Sequence, residues 1–406
     1  MFPSRRIAMM GTEEFKDEHS VYFGGTDEYI DTGQTFNTTF VGSYSVSLWV
    51  KPTDGQAGTT QMLFGSKNDV SGNPEDFIYL GILNTGKLKG YHESDDTGDN
   101  TVTDNAIFVD GQNDWTHIVY SVEKNAAGGF KLFVNGVKVQ EENTNGVNDT
   151  KWNAFETDQN LYIGGYNNQG TDGLHYTGGM SDFAIYNKAL SANEAKQIYN
   201  GREPFNHKES SFASNLVSWY RMGDGTLDRH NISGTHPALL ICDEVNPTLG
   251  SELITGFTNG SSYPLDTFVT SGRNVSSAIE TSGNWGGFAS NQLNVTAGEV
   301  YKLSFNLTYN SGTRTMRTRI ANGATGSNAT VAIGDIYRNI SQQGFHETYF
   351  IATSTDSSSY LQMGTWQEAD VINFSVTDVS LKKVNGNASV MINMEGTDVT
   401  GDSPHV

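Results

Sequence analysis

Cysteine, proline and helix-forming patterns are scarce in this 406-residue sequence. The single cysteine, Cys242, excludes an intramolecular disulfide and any metal site built from several thiolates. There are 8 prolines against 45 glycines, and segments rich in β-branched and aromatic residues are interrupted by glycine, asparagine, aspartate and serine. This composition is typical of short strands joined by tight turns. We therefore expect an all-β protein, long enough for two domains and their connecting segments.

Positive charge is also scarce, because 25 lysines and arginines are outnumbered by 46 aspartates and glutamates, which gives a net charge of −21. Such a surface repels phosphate backbones and anionic lipids, so we expect neither nucleic-acid binding nor membrane insertion. No apolar run is long enough to cross a bilayer, and the first fifteen residues lack the apolar centre of a secretory signal. The carboxylates could supply oxygen ligands to Ca²⁺, although a solvated acidic surface is the simpler interpretation for most of them.

Local patterns predict several strands and one short helix. Ser43–Val50 alternates apolar and polar residues. The Asn135-Gly136 dipeptide favours a type I′ turn, which would pair Lys131–Val134 with Val137–Gln140.

The one helix that the sequence predicts begins after Ser191, because Glu194 follows at the spacing of a capping box. Strand patterns resume in the second half of the chain. The predicted divisions are an N-terminal arm (1–19), a first sandwich (20–205), a connector (206–250), a second sandwich (251–384) and a C-terminal tail (385–406).

Six segments occur in the order in which one known family places them: SVYFGGTDEYIDTG, YSVSLWVKP, DWTHIVYSVEK, FKLFVNGVKV, NLYIGG and GGMSDFAIYNKALSANEAKQIYNG. On these segments, residues 20–205 resemble the laminin-G-like, concanavalin A-type lectin/glucanase family. The resemblance implies a sandwich of two sheets, closed by the short helix. We expect Trp49, Trp115 and His117 to pack or form hydrogen bonds between the two sheets.

Residues 251–384 resemble the jelly rolls of carbohydrate-binding modules. The opening Glu252–Gly256 and the strand pattern of Val300–Leu307 carry this resemblance. Sugar binding in such modules uses exposed aromatic rings, so Trp285, Tyr360 and Trp366 are the candidate carbohydrate-binding residues, with packing in the core or at its rim as the alternative. The whole chain is therefore predicted to hold two consecutive jelly-roll or concanavalin A-like β-sandwiches.

Two flanking segments resemble marine bacteriophage virion proteins: Leu216–Gly225, and the tail from Met391 to Pro404. The resemblance implies a virion surface protein, such as a capsid decoration, a head fibre or a tail appendage. Such a protein would be assembled in the host cytoplasm and exposed on the particle. Its partners would be capsid or tail proteins, host cell-surface glycans and further copies of itself, for example in a trimer. A secreted bacterial glycan-binding adhesin is the alternative, and a polysaccharide hydrolase is the least favoured interpretation.

Catalysis is not expected. Glucanases that share the first fold use a Glu-x-Asp-x-x-Glu strand, and the nearest sequence here, which begins at Glu93, does not complete that pattern. There is also no nucleophile elbow, phosphate loop or zinc-binding spacing. The chain is accordingly predicted to be a binding or structural protein.

A structural Ca²⁺ is the only cofactor that the resemblance implies. The ion would join the first turn, at Asp27, to the closing strand, where Ser181 stands at the family's aspartate position and Asp182 is the adjacent acid. The second sandwich repeats this offset with Thr377 and Asp378. Adjacent residues of a regular strand have side chains on opposite faces of the sheet. The alternative to a calcium site is therefore that these carboxylates cap turns and hairpins.

Overall fold

The computed structural model contains two β-sandwiches and little helix, which confirms the predicted fold class. The structure describes residues 15–68, 75–94, 97–112, 114–141, 155–228, 232–233, 238–245, 248–261, 263–281, 286–312, 316–322, 335–365, 372–386 and 388–405. Within these residues no helix is both long enough and apolar enough to span a membrane.

The strands, numbered along the chain, are β1 (Ser20–Gly24), β2 (Tyr29–Asp31), β3 (Tyr44–Pro52), β4 (Gln61–Asn68), β5 (Asp76–Ile82), β6 (Leu88–Ser94), β7 (Thr97–Val102), β8 (Thr116–Val122), β9 (Phe130–Val134), β10 (Val137–Glu141), β11 (Tyr162–Ile163), β12 (Tyr166–Asn168), β13 (Thr171–Gly173), β14 (Thr177–Tyr186), β15 (Leu216–Tyr220), β16 (Ile232–Ser233), β17 (Ala238–Cys242), β18 (Leu249–Glu252), β19 (Phe257–Asn259), β20 (Thr267–Ser271), β21 (Asn274–Glu280), β22 (Gly286–Ser290), β23 (Leu293–Val295), β24 (Val300–Ser311), β25 (Met316–Asn322), β26 (Asp335–Ile340), β27 (Gly344–Ile351), β28 (Asp356–Thr365), β29 (Ile372–Val384), β30 (Ala388–Ile392) and β31 (Val399–Thr400). The helices are α1 (Asn37–Phe40) and α2 (Ala192–Tyr199), with 3₁₀ turns at Asn200–Arg202, His207–Glu209, Ala213–Asn215 and Gly396–Asp398.

The first sandwich packs two sheets face to face. Sheet A runs in the order β10-β9-β8-β3-β14-β1-β31, with β15 also paired to β14. Sheet B runs β17-β30-β2-β11-β4-β5-β6-β7, with the β12–β13 hairpin attached to β4. Inward-facing side chains of both sheets form one apolar core, which includes Val46 and Leu48 from sheet A and Ile78 and Leu80 from sheet B.

The outer face of sheet A is covered as well, which corrects the expected positions of three aromatic residues. Trp49 and His117 do not lie between the sheets. They lie on the outer face beneath Tyr199 of α2, with the ring centroid of Trp49 5.0 Å from that of His117 and 5.7 Å from that of Tyr199. Trp115 donates a hydrogen bond from Nε1 to Asp402 Oδ1 at 3.1 Å, again outside the core. Strand alternation explains this result, because Trp49 is out of phase with the core residues Leu48 and Val50.

The predicted capping box and the predicted type I′ turn are both confirmed. Ser191 Oγ accepts a hydrogen bond from the Glu194 N–H, and the Glu194 side chain accepts one from the Ser191 N–H. The turn between β9 and β10 has positive φ at Asn135 (48°) and Gly136 (75°), as a type I′ turn requires.

The predicted connector and tail are not separate from the first sandwich. The connector supplies β15 to sheet A and β17 to sheet B. The tail supplies β30, which pairs with both β2 and β17, and β31, which pairs with β1. The sequence did not indicate these pairings, because a short strand does not specify a distant partner in its own sequence.

The second sandwich is formed by a seven-stranded sheet around β24 and β29 and a six-stranded sheet around β28. Its core, which includes Phe288, Leu303, Leu361 and Phe374, is separate from the first core. A small apolar cluster lies between the two sandwiches and contains the buried Cys242 together with Val300, Tyr349 and Val384.

Candidate functional site

The outer face of sheet B carries aromatic side chains that the core does not use. In β5, Ile78 and Leu80 point into the core, so the alternate residues Phe77 and Tyr79 lie on the opposite face. Strand β6 repeats this arrangement, because Leu88, Gly90 and His92 are buried while Lys89, Tyr91 and Glu93 are half-buried.

The strand register aligns several of these residues in one row across the sheet. Direct Cα partners follow in the order Val390, Asp31, Tyr162, Gly65, Tyr79, Tyr91 and Asn100. We call this set the aromatic row. From Asp31 to Asn100 it crosses five strand spacings, or about 24 Å at ~4.8 Å per spacing. A track of this length matches an extended polymer better than a compact ligand.

The rings of the aromatic row are close to one another and nearly parallel in pairs. The centroids of Tyr79 and Tyr91 lie 5.3 Å apart with an interplanar angle of 26°. At the other end, Tyr162 stacks on Tyr29 at 4.3 Å and 22°. Between them, Gly65 has no side chain, and a Cβ there would lie 2.8 Å from Tyr166 Cβ. Glycine at position 65 therefore allows Tyr166 to approach the row.

Polar groups flank these rings. Tyr91 donates a hydrogen bond to Glu93 Oε2 at 2.8 Å, and burial together with Glu93 raises the pKa of Tyr91. The Lys89 ammonium lies 5.4 Å from the Tyr91 centroid and 5.6 Å from that of Tyr79, within range of a cation–π interaction. Apolar ring surface next to carboxylate and ammonium groups is what recognition of a sugar requires, because each pyranose has apolar C–H faces and a polar rim.

The residues predicted to bind carbohydrate belong to the second sandwich instead. Tyr360 is half-buried in β28, opposite Ala321 of β25, and Gln362 in the same strand accepts a hydrogen bond from Arg319 Nε at 2.8 Å. Trp285 and Trp366 lie outside the described residues, so their role stays a prediction. The aromatic row was not predicted from the sequence, although the alternation of Phe77 and Tyr79 with Ile78 and Leu80 indicates aromatic side chains on the outer face of this strand.

The structure does not bring the two predicted calcium ligands together. Strand β14 pairs antiparallel with β1, with Thr177 opposite Gly24 and Met180 opposite Val21. Asp27 follows the Gly24 end of this pair, while Asp182 lies beyond the Val21 end. One ion therefore cannot be held by both in this register. Among the described residues no three acidic, histidine or cysteine side chains cluster as a metal site, and calcium binding stays a prediction.

A β-bulge corrects the expectation that Ser181 and Asp182 face opposite ways. Ser181 pairs with Trp49 and Ala184 with Ser47, so β14 contains one extra residue, and Asp182 has a φ of 54°. Both side chains consequently lie on the outer face. The second sandwich contains the same device, since Thr377 pairs with Asn306 and Ser380 with Ser304, and Asp378 has a φ of 56°.

Asp182 is fully engaged at this bulge. Its Oδ1 accepts a hydrogen bond from Trp219 Nε1, and its Oδ2 lies 3.0 Å from His207 Nε2, whose Nδ1 contacts the Tyr186 hydroxyl. Burial alone would raise the pKa of Asp182, but the His207 ring and the hydrogen bonds from His207 and Trp219 lower it below its ordinary value. These contacts give Asp182 a structural role.

Solved structures that resemble this chain include several carbohydrate-binding modules, whereas a search of curated proteins gave no match. The CBM40 of the Ruminococcus gnavus IT-sialidase is 18% identical, with 44% of this chain and 96% of that chain covered and a TM-score of 0.36. A putative carbohydrate-binding protein from Bacteroides ovatus is 16% identical, covering 57% and 56%, with a TM-score of 0.37. The N-terminal cellulose-binding domain of the Cellulomonas fimi β-1,4-glucanase C is 18% identical, covering 34% and 99%, with a TM-score of 0.26.

These TM-scores are too low to support an argument about this chain. Residues 23–196 match the family model of the concanavalin A-like lectin/glucanases superfamily, in agreement with the resemblance seen in the sequence. The match contains every residue of the aromatic row except Val390.

Proposed function

We propose that the first sandwich binds glycans through the aromatic row. The observation that carries the proposal is the alignment of Tyr162, Tyr79 and Tyr91 on one outer face of the first sandwich, where Tyr91 is half-buried and Tyr79 and Tyr162 are each 7% exposed. The proposed role is binding without hydrolysis, since the glucanase Glu-x-Asp-x-x-Glu strand is missing from the sequence.

Substitution of Tyr91 tests this proposal. We expect Tyr91→Ala to weaken glycan binding about tenfold, or ~1.4 kcal/mol, because a central ring is lost. Tyr91→Phe keeps the ring and should retain most of the affinity. The matched control is Phe345→Ala, which removes an aromatic ring that is 63% exposed on the second sandwich. A glycan array followed by calorimetry would measure all four proteins, and equal affinities would contradict the proposal.

We further propose that the protein is carried on the surface of a bacteriophage particle, as a capsid decoration, head fibre or tail appendage, and binds host glycans there. The resemblance of Leu216–Gly225 and of the tail from Met391 to Pro404 to virion proteins supports this location, and the two segments pack against each other. A Cβ at Gly223, in the first segment, would lie 2.6 Å from Val399 Cγ1, in the second, and 3.0 Å from His19 Cβ. The segments therefore form one unit with the start of the described chain.

Immunogold labelling of purified particles with antibody to residues 20–205 tests the location. Label on heads or tails would support a virion component and distinguish between the two positions. Particles without label would favour the alternative, a secreted bacterial adhesin that uses the same aromatic row.

A further inference from the structure

The aromatic row ends at a cavity between the two sandwiches. This cavity has a volume of about 340 Å³, within the range of small-molecule sites. Asp31 and Val390, the first two members of the row, both line it. The second sandwich supplies the opposite side through Ala297, Glu299 and Ile351. The cavity and the row are therefore continuous, and the second sandwich forms a wall across one end of the row.

This wall is held in place by hydrogen bonds and one ion pair. The Gly298 N–H donates to the Ala352 carbonyl at 2.8 Å, and the Ala352 N–H donates to the Glu299 carbonyl at 3.0 Å. Glu299 also forms an ion pair with Lys383 at 2.9 Å. These contacts attach the loop to the second sandwich, and a chain lying along the row would end against it.

The junction of the two sandwiches is fixed as well. Strand β16 pairs in parallel with β27 of the second sandwich, next to the apolar cluster around Cys242 and Tyr349. Strand β30 follows β29 of the second sandwich closely in the sequence and then enters sheet B. Strand pairing and the short link from β29 to β30 thus join the two sandwiches.

Polar groups inside the cavity suit the hydroxyls of a sugar. Asp31 Oδ1 accepts hydrogen bonds from the Gly33 N–H at 2.8 Å and from Asn160 Nδ2 at 3.0 Å. No described residue donates to Asp31 Oδ2, which leaves that oxygen available to a hydroxyl donor. The side chain of Gln34 adds an amide, and Glu299 adds a second carboxylate. Glu299 is paired with Lys383, but no described basic residue pairs with Asp31, so the Asp31 carboxylate disfavours an acidic sugar.

We propose that this cavity binds the terminal residue of a linear neutral glycan whose following residues lie along the aromatic row. The inference rests on the proposed function and adds an orientation and a ligand class to it. The site selects chain ends, because the loop at Ala297–Val300 blocks continuation of the chain.

A steric variant tests the inference. Ala297 is exposed and lines the cavity, so Ala297→Trp should fill it without altering the first sandwich. Ala192→Trp, at an exposed position in the first turn of α2, is the matched control. The second cavity variant, Asp31→Asn, keeps the shape of the side chain and removes its charge. Thermal unfolding would verify that each variant is folded.

The probes are linear gluco-, manno-, xylo- and galacto-oligosaccharides of two to eight units, with cyclic glucans as ligands that have no ends. We expect Ala297→Trp and Asp31→Asn each to weaken binding of the linear probes at least tenfold, and Ala192→Trp to leave it unchanged. Linear probes that bind both cavity variants as tightly as the unaltered protein, or cyclic probes that bind as tightly as linear ones, would overturn the inference and leave the proposed function standing. Failure of every probe to bind the unaltered protein would overturn both.

Discussion

The two outer faces of the first sandwich are built from similar strands but differ in what covers them. The outer face of sheet A is closed by α2, by the segment that follows it and by both ends of the described chain, and Trp49 and His117 are fully buried there. On the outer face of sheet B, Phe77 and Tyr91 are half-buried. One sandwich thus has a closed outer face, committed to its own stability, and an open outer face, where part of the aromatic surface stays exposed.

The chemistry of the two faces differs accordingly. The closed face contains charges that burial makes costly, such as Asp17, which lies 3.7 Å from Arg221 and 3.5 Å from His405. Burial raises the pKa of Asp17 well above its ordinary value. On the open face, the charged groups Lys89 and Glu93 are only half-buried, so water still reaches them. Substitutions on the closed face should therefore affect folding, and those on the open face should affect binding.

The largest expected effect comes from Asp182→Ala. It would leave His207 and Trp219 with unpaired polar groups in the interior, at a cost of about 3–5 kcal/mol in the free energy of unfolding. Urea unfolding would measure it, with Tyr91→Ala as the open-face counterpart, for which we expect a loss of about 1 kcal/mol or less. Similar losses of unfolding free energy in the two variants would contradict the proposed difference between the closed face and the open face.

A pH-dependent effect should follow from His117. Burial lowers the pKa of His117 to about 3, against about 6.5 in an unfolded chain. Between these values the unfolded state binds a proton that the folded state does not, so stability decreases as the pH falls, by about 1.4 kcal/mol per unit. Between pH 7 and pH 5, the free energy of unfolding of His117→Asn should therefore fall by about 2 kcal/mol less than that of the unaltered protein.

This pH comparison isolates His117 because other groups are common to both proteins. Burial also lowers the pKa of His92 to about 3, which acts in the same direction. Burial raises the pKa of Asp228 to about 6 and raises that of Asp17, which acts in the opposite direction. Urea unfolding at several pH values would give both curves, and parallel curves would contradict the assignment.

The smallest expected effect on stability belongs to Gly98→Ala on the open face. An added Cβ would lie 2.3 Å from the Tyr91 hydroxyl, so the end of that side chain must move. We expect a change in unfolding free energy below about 1 kcal/mol and a several-fold loss of glycan affinity, measured by urea unfolding and calorimetry. A stability loss with unchanged affinity would show that Tyr91 contributes to packing alone.

Local features of the fold could be predicted from the sequence, while contacts between distant segments could not. The capping box of Ser191 and Glu194 and the turn at Asn135-Gly136 depend on adjacent residues, so both were predicted correctly. The tail strand β30 pairs with β2 from the start of the chain, and nothing in either short strand specifies the other.

The candidate site shows the same limit. The alternation in β5 and β6 identifies outward aromatic residues, but only the register places Tyr162 in line with Tyr79 and Tyr91. Similarly, the bulge at Asp182 reverses the face that a regular strand would give it, because one extra residue shifts the alternation.

Hydroxyl-radical footprinting with a bound oligosaccharide tests the central claim most directly, since it reports the solvent exposure of individual aromatic side chains. If the glycan binds on the outer face of sheet B, oxidation of Phe77, Tyr91 and Tyr166 should fall several-fold in the complex, while oxidation of Phe345 should not change. Protection of Tyr360 with no protection of Phe77, Tyr91 or Tyr166 would contradict it and would place the binding site on the second sandwich.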